Sequence, residues 1–599
     1  MAQQFFSRRN INFLLNEVYK VDELTHFDLF KDHSQETFDL IIDTISKMAA
    51  EVMYPIFQEM DSNPPWFEDG VAHVHPQVRP FMREYGAGGW INSTMAYELG
   101  GQQVPNTINF VSQFIIAAAN YSLSAYVLLT AGAANLLTAF GSPQLKDIYL
   151  PDMLAGAWQG TMALTEPNAG SSLADIRTQA EDSGLGYYRI KGQKIFITGG
   201  STDATDNTVH MMLARIKGAP AGVKGISLFL VPKYRVEADG TLAPNDIVCT
   251  GIEHKLGYKG CPACQLAMGD QDDCHGFLVG EANRGLGYMF QMMNEERINV
   301  GMGAVAKATA AYYASLEYSR ERRQNRKLTD KNPESPQIPI IEHADIKRLL
   351  LFQRAVAEGA LALALQVSKY IDLARVNVEQ EKNELLVDFL VPIVKTYPSE
   401  MGILSTSAAI QCLGGYGYCK DFPVEQYFRD VRIDPIHEGT TGIQGQDILG
   451  RKATMQQGKA YNLFLEEVEK TISSARKISS LQPYTEILAH TVVTLNQVTR
   501  HLLNYAAQGQ TERFLADATL YLELAGIVAI GWQWLKQGEV AAQALAADPN
   551  GIDRWFYQGK LTTLGYFFDY EMPKVENLQR TITRSERFMS EVPLEIFEA

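Results

Sequence analysis

The chain has 599 residues, and because a single hydrophobic core stops growing at about 250–300 residues, several domains are expected. Apolar residues make up 46% and charged residues 20%, as in ordinary globular proteins, while a formal net charge of −16 argues against a nucleic-acid binder. Six cysteines do not make a disulfide framework at this length, so we expect a reduced, cytoplasmic protein.

The first 158 residues are predicted to form an arm and a helical domain. Residues 1–35 carry acidic side chains and lack a continuous apolar stretch, so we expect an extended arm with a short helix and no signal peptide. Residues 36–158 are expected to be helical, because apolar side chains recur at helical spacing from Phe38 to Met48. The small and apolar residues of 117–140 predict a buried helix.

A β domain is predicted for residues 159–277, where glycine, threonine and β-branched residues dominate. Residues 188–192 and 194–198 alternate in the manner of two strands. Residues 225–232 (GISLFLVP) are a short apolar run between turn residues, which predicts a buried strand.

Helical periodicity returns for residues 278–454, with a predicted surface loop at 329–339 that is rich in proline, aspartate and asparagine. An additional helical domain is predicted for residues 455–599. The apolar run 526–535 is shorter than the ~20 residues that a membrane-spanning helix needs, so we expect a buried helix there. One face of this domain is apolar and combines Phe514, Ala518, Tyr521, Leu522, Ala525 and Val528.

The loop at residues 161–178 (TMALTEPNAGSSLADIRT) is the first stretch that points to chemistry. Its successive small residues, from Ala169 to Ser172, allow backbone N–H groups to approach a phosphate or a flavin edge closely. By itself, the stretch also fits an ordinary polar loop.

Four further stretches narrow the interpretation. They are residues 191–200 (KGQKIFITGG), 253–260 (EHKLGYKG), 411–434 (QCLGGYGYCKDFPVEQYFRDVRID) and 437–444 (HEGTTGIQ). Together with TEPNAGSS they resemble, in order and spacing, the acyl-CoA dehydrogenase family, and more specifically its long subgroup with an N-terminal arm and an added C-terminal helical domain. The resemblance implies an α+β fold with an N-terminal helical domain, a middle β-barrel domain, a C-terminal four-helix bundle and the additional helical domain.

The resemblance also implies a reaction, the FAD-dependent α,β-dehydrogenation of an acyl-CoA thioester to the trans-2-enoyl-CoA. The family's usual base position matches Glu438, and a carboxylate can act as base when burial raises its pKa. Some members carry the base just before an arginine, which makes Glu296 the alternative. The arginine itself, Arg297, matches a substrate-binding position, although a structural ion pair is an open alternative.

The flavin contacts carry over by position. Phe196 stands where many relatives have tryptophan, and Asn325-Arg326 replaces a common Phe-Gly, which weakens the expectation for the adenine end. The residues that match contacts to the chain's own flavin are Leu164, Thr165, Gly170, Ser171, Phe196 and Thr198. Those that match contacts to the flavin of a neighbouring subunit are Arg322, Gln411, Gly414, Gly415 and Gly417, and Thr440 and Gln444 complete the region.

The resemblance implies an electron-transfer flavoprotein as acceptor and a homodimer as assembly. Two other functions stay open: an acyl-CoA oxidase that uses oxygen, and a non-catalytic assembly protein with the same fold.

Cys261 and Cys264 have a spacing that zinc sites use, but they fall in a β-domain stretch where relatives carry no metal, so we expect none. We expect the additional domain to pack on the enzyme body, and contact with a membrane surface is the alternative.

Overall fold

The computed structural model describes residues 4–584 and 589–598, with the backbone but not the side chains of residues 291 and 292. Within these ranges the α-helices are α1 (Arg8–Asn12), α2 (Gln35–Met48), α3 (Phe57–Ser62), α4 (Val78–Ala87), α5 (Asn106–Phe140), α6 (Pro143–Leu154), α7 (Gly285–Glu321), α8 (Ala344–Arg375), α9 (Gln380–Leu413), α10 (Val424–Val431), α11 (Thr441–Gln446), α12 (Met455–Ala475), α13 (Gln482–Ala507), α14 (Thr511–Leu515), α15 (Ala518–Ala546), α16 (Gly551–Tyr570) and α17 (Lys574–Ile582). The strands are β1 (Trp66–Glu68), β2 (Val71–His73), β3 (Trp158–Ala163), β4 (Gln179–Asp182), β5 (Tyr188–Thr198), β6 (Asn207–Ile216), β7 (Ile226–Pro232), β8 (Tyr234–Val236), β9 (Leu242–Pro244), β10 (Ile247–Ile252), β11 (Ala263–Met268) and β12 (His275–Leu278).

The chain forms two compact units. The helical unit consists of Met1–Phe38, Pro105–Phe114 and Arg297–Ala599, and the β-containing unit consists of Asp39–Val104 and Ile115–Glu296. These two units cut across the segments predicted from the sequence, whose boundaries stay a prediction.

The main sheet of the β-containing unit runs in the order β10-β11-β5-β12-β7-β6-β3, and β4 pairs with both β5 and β6. Strands β3 and β6 are parallel, whereas β6 and β7 are antiparallel. Every residue of β7 is buried, as the apolar run at 225–232 predicts. The two strands predicted at 188–192 and 194–198 are one continuous strand, β5, because the chain stays extended through Gly192.

A small hairpin interrupts the predicted helical domain at residues 36–158. Strands β1 and β2 pair around Asp69 and Gly70, which both have positive φ, at +50° and +78°. An Asp-Gly pair between short apolar segments is a strong local signal for a tight hairpin turn, so the sequence did contain the information.

The predicted extended arm is mostly helical. Helix α1 leads into a π-helical turn, Phe13–Val18, and a 3-10 turn follows at Val21–His26. The arm is anchored in the helical unit, where the Tyr19 hydroxyl lies 2.7 Å from Gln533 Oε1 on α15. Lys560 Nζ on α16 donates to Asn10 Oδ1 at 2.5 Å.

Residues beyond 455 pack on the bundle helices of the same unit. The Trp534 indole N–H of α15 donates to the Ala355 carbonyl of α8 at 3.0 Å, and Lys560 of α16 pairs with Glu358 of α8 at 2.8 Å. The predicted apolar face is buried, with all six of its side chains between 0% and 6% exposed.

Three helical segments within the described ranges, Asn106–Phe140, Ala344–Arg375 and Thr511–Ala546, are long and apolar enough to cross a membrane. The last contains residues 526–535, which form a buried part of α15 as predicted, although the apolar stretch extends beyond the short run on which the length argument rested. Of the most apolar window in each segment, 83%, 83% and 67% is buried inside the protein.

Candidate active site

A buried ion pair holds the TEPNAGSS loop against strand β5. Lys194 Nζ lies 2.9 Å from Glu166 Oε1 and also donates to the Leu164 carbonyl at 2.9 Å. The Glu166 carboxylate accepts the backbone N–H groups of Arg177, at 2.6 Å, and Thr178, at 3.0 Å. Burial lowers the pKa of Lys194 to about 8 against the opposing effect of Glu166. The pKa of Glu166 is lowered because Lys194 and these hydrogen bonds outweigh its burial.

The loop residues that the sequence predicts as flavin contacts therefore lie beside the end of β5. The Ile195 N–H donates to the Thr165 carbonyl at 3.0 Å, and a Cβ added to Gly170 would lie 3.8 Å from Thr165 Cγ2. Ser171 is exposed, and Thr198 is half-buried at the end of β5.

Phe196 has an unusual backbone for a strand residue. Its φ is +58°, and its side chain is 58% exposed. The pairing of β5 with β11 shifts register between Cys264 and Leu266, opposite this part of β5. Bulges of this kind redirect a side chain and are frequent beside active sites, so the aromatic ring is presented outward at the predicted flavin position.

Four of the five residues predicted to contact a neighbour's flavin line one cavity of the helical unit. Its volume is about 570 Å³, and its walls include Arg322, Gln411, Gly414 and Gly415. A Cβ added to Gly414 or Gly415 would meet no atom within 4 Å, so the backbone there is open to a ligand. Gly417 differs, because its added Cβ would lie 2.3 Å from the Ile410 carbonyl oxygen, which gives this glycine a packing role.

Glu438 lies on a short loop between α10 and α11. The loop has two consecutive residues in the left-handed region, with φ of +51° at Glu438 and +89° at Gly439. Two buried side chains hold its carbonyls: Gln444 Nε2 donates to the Glu438 carbonyl at 3.0 Å, and Lys395 Nζ donates to the Gly439 carbonyl at 2.8 Å. The Glu438 side chain is half-buried. The loop thus presents a carboxylate from a strained and firmly held backbone.

The remaining predicted residues have clear structural partners. Arg297 is 3% exposed and forms an ion pair with Asp447 at 3.0 Å. A structural ion pair was the alternative to substrate binding that the sequence left open for this arginine. The Thr440 hydroxyl caps α11 by accepting the Ile443 N–H at 3.3 Å. Glu296 is 6% exposed on α7. The ligand-binding and catalytic roles of these residues stay predictions.

Family models match the chain in four consecutive parts. The acyl-CoA dehydrogenase N-terminal, middle and C-terminal domains match residues 35–157, 161–271 and 283–453, and a model described as acetyl-CoA dehydrogenase C-terminal like matches 464–593. A butyryl-CoA dehydrogenase of Syntrophomonas wolfei is 33% identical over 98% of both chains. The chain belongs to the acyl-CoA dehydrogenase family.

A second member of the acyl-CoA dehydrogenase family is similar over most of its length. The 3-methylmercaptopropionyl-CoA dehydrogenase of Ruegeria pomeroyi is 35% identical, over 93% of this chain and 94% of its own. A crystal structure of an acyl-CoA dehydrogenase complexed with FAD from Bacillus anthracis has a TM-score of 0.70 at 18% identity, and the match covers 94% of each chain. The predictions of the family, the α+β fold class and an enzyme of this family are confirmed.

The buried groups that hold the loops of this acyl-CoA dehydrogenase were not among the residues predicted from the sequence. Lys194, Glu166 and Lys395 are each almost fully buried, with exposures of 0%, 7% and 0%. A signal existed for Lys395, because it is a single lysine inside the apolar helical run FLVPIVKTY. A lysine in such a run is seldom buried without a partner, so it indicates a specific polar contact.

Proposed function

We propose that this acyl-CoA dehydrogenase catalyses the α,β-dehydrogenation of an acyl-CoA thioester to the trans-2-enoyl-CoA, with Glu438 as the base. The observation that carries the assignment is the conformation of the Glu438 loop. Glu438 has a left-handed backbone and a half-buried carboxylate, and Gln444 and Lys395 donate hydrogen bonds to the Glu438 and Gly439 carbonyls. Non-glycine residues adopt this conformation at a cost of about 1–3 kcal/mol, and such strain concentrates at functional sites.

Glu438 would remove the α-proton of the thioester, which requires its carboxylate to come within hydrogen-bond reach of that proton. Because the loop carbonyls are already engaged, the carboxylate needs little rearrangement before it acts. Glu296 is the alternative base, and its position on a continuous helix gives it no comparable backbone feature.

FAD is the proposed cofactor, and the residues present fit it. Phe196 would offer an exposed ring to the isoalloxazine, and the TEPNAGSS loop with Thr198 would provide polar contacts. Arg322 and the open backbone at Gly414 and Gly415 would hold phosphate groups. When bound, FAD supplies the acceptor for the hydride that leaves the β-carbon.

The electron acceptor is proposed to be an electron-transfer flavoprotein, and the assembly a homodimer in the cytoplasm. The support for the dimer is the cavity at Arg322 and Gln411, whose residues match contacts to a neighbouring subunit's flavin and whose open backbone would accommodate phosphate groups. Oxygen uptake with acyl-CoA alone, at a rate matching turnover, would instead identify an acyl-CoA oxidase.

The test of the base is flavin bleaching by stopped flow under anaerobic conditions. The substrates are butyryl-CoA and 3-methylmercaptopropionyl-CoA, for which the two similar dehydrogenases are named. Glu438→Gln should keep FAD and acyl-CoA binding but reduce the flavin about 10²–10⁴-fold more slowly, since an amide cannot accept the proton.

Glu296→Gln is the comparison variant and should lose far less activity. If Glu438→Gln reduces flavin at the parent rate while Glu296→Gln is inactive, the base is Glu296. If both variants keep the parent rate, the assignment from the family fails at its central residue. A folded protein that neither contains nor takes up FAD would favour the non-catalytic assembly protein.

A further inference from the structure

A buried lysine on α9 contacts the loop that carries the proposed base. Lys395 is 0% exposed, and its Nζ donates to the Gly439 carbonyl at 2.8 Å. Within the described ranges it forms no ion pair with a carboxylate, unlike the buried lysines 194, 307, 452 and 560. No carboxylate of the described residues comes within ion-pair distance of this buried ammonium, so the Gly439 carbonyl is its direct polar partner.

The position of Lys395 is fixed by close packing between two helices. Gly301 on α7 faces this point of α9, and a Cβ added there would lie 2.1 Å from the Val394 carbonyl oxygen and 3.2 Å from Lys395 Cα. The Ser399 hydroxyl, one turn further along α9, donates to the Lys395 carbonyl. The stem of the lysine is therefore held on a rigid element, which is where a positioning group is most effective.

Lys395 and Gln444 approach the same two peptide groups from different elements. Gln444 Nε2 on α11 lies 3.0 Å from the Glu438 carbonyl and 3.5 Å from the Gly439 carbonyl. Lys395 reaches the Gly439 carbonyl from α9. The two donors together define the orientation of the peptide that follows the base.

The charge around Lys395 is mixed. Burial lowers the pKa of Lys395 to about 8, while the carboxylates of Asp434, Glu438 and Glu400 oppose the shift and Arg297 adds to it. The amino group carries N–H donors in either protonation state, so the bond to Gly439 survives across neutral pH.

We propose that Lys395 is a positioning residue for the base, which anchors the Gly439 carbonyl and, with Gln444, fixes Glu438 in its left-handed conformation. The inference rests on the proposed function, because it assumes that Glu438 acts on the substrate. Lys395 acts through the loop backbone and touches neither substrate nor cofactor in this account.

The test uses the FAD-loaded full-length protein and the variant Lys395→Met, which keeps the side-chain length and removes the donor. We expect parent FAD content and parent affinity for acyl-CoA, with anaerobic flavin reduction about 10²-fold slower, the loss that a small displacement of a reacting group produces. The matched control is Lys452→Met, which replaces another buried lysine, 1% exposed and paired with Asp388, and should keep the parent rate.

A double variant separates positioning from a general structural effect. If Lys395 and Gln444 hold the same peptide, the double variant Lys395→Met, Gln444→Leu should slow flavin reduction by a smaller factor than the product of the factors for the two single variants. Independent losses that multiply, or a loss that appears only as weaker acyl-CoA binding, would overturn the proposal.

Gly439→Ala covers the case in which Lys395→Met does not fold. Its added Cβ would lie 2.7 Å from Gln444 Nε2 at a φ of +89°, so it disturbs the same peptide without touching the lysine, and it should show the same loss in rate. Parent rates in both Gly439→Ala and Lys395→Met, with Glu438→Gln inactive, would overturn the positioning role alone. A parent rate in Glu438→Gln would overturn the proposed base and the positioning role together.

Discussion

At the scale of single residues, the two predicted site positions with the most unusual backbone are Phe196 and Glu438. Both are non-glycine residues with positive φ, at +58° and +51°. One presents an exposed ring from a strand, and the other a half-buried carboxylate from a loop. Neither conformation follows from residue type, since phenylalanine and glutamate both avoid the left-handed region. At Glu438 the loop carbonyls are held by Gln444 and Lys395, and at Phe196 the positive φ accompanies the register shift between β5 and β11.

The Glu166–Lys194 pair leads to a prediction with a defined pH dependence. The pKa of Glu166 is lowered from 4.5 in the folded protein, so the stabilisation from its charged form is present above that pH and is lost as the pH falls below it. Glu166→Gln should lower the free energy of unfolding by about 3–5 kcal/mol at pH 7, because it leaves Lys194 buried without its counter-ion.

Urea unfolding at pH 7 and at pH 4 tests this expectation. The difference between parent and Glu166→Gln should shrink at the lower pH, because pH 4 lies below the ordinary carboxyl pKa of 4.5 and the parent's unfolded chain then takes up protons that the folded carboxylate resists. Glu181→Gln is the matched control: it removes an exposed pair with Lys217, whose side chains are 57% and 66% exposed, and should change little at either pH. A difference that is equal at both values would show that the charge of Glu166 does not stabilise the fold.

At the scale of elements, the contact between α8 and α15 depends on one glycine. A Cβ added to Gly359 would lie 2.6 Å from Trp534 Nε1 and 2.7 Å from Ile530 Cγ2. Gly359→Ala should therefore lower the free energy of unfolding of the helical unit by about 1–3 kcal/mol, although alanine favours helices. Gly287 on α7 is the control, because its added Cβ meets no atom within 4 Å.

Thermal unfolding of the two alanine variants measures the contrast. Gly287→Ala should be neutral or stabilising, while Gly359→Ala should unfold at a lower temperature. Equal behaviour of the two would mean that α15 moves away from α8 without penalty, and that the additional helices are not closely packed on the bundle.

Elements with a long and regular pattern were predictable, and those decided by contacts distant in sequence were not. The apolar run of β7 and the apolar face of α15 are buried as their patterns indicate. Strand β5 was predicted as two strands, because the pairing with β11 that keeps the chain extended through Gly192 involves a partner strand that is not adjacent in sequence. At the site, motifs identified candidate residues, but nothing local to Lys395 states that its partner is the Gly439 carbonyl, 44 residues further on.

At the scale of the whole molecule, the cavity at Arg322 is where the proposed FAD site and the proposed dimer would depend on each other. Arg322 is exposed and forms no ion pair within the described ranges, so its guanidinium is available to an anion. If that anion is the pyrophosphate of a partner's FAD, Arg322→Ala should lose FAD more readily, and dilution to monomers should release FAD from the parent protein.

Gel filtration with light scattering measures the oligomeric state, and the ratio of flavin to protein absorbance in the same peak measures the FAD content. Lys331→Ala removes a positive charge from the exposed loop that follows and should keep the parent ratio. A monomer that retains one FAD per chain through dilution would contradict the shared site, and the flavin would then be held by one chain alone.

The anchoring of the arm also bears on the order in which the protein can fold during synthesis. Because a chain is made from its N-terminal side, Asn10 and Tyr19 are synthesised more than 500 residues before their partners Lys560 and Gln533. The β-containing unit is complete at Glu296, so it can fold while the rest is still being translated. The arm must wait for its binding surface until α15 and α16 have been made, and the helical unit closes only after Lys560 is available.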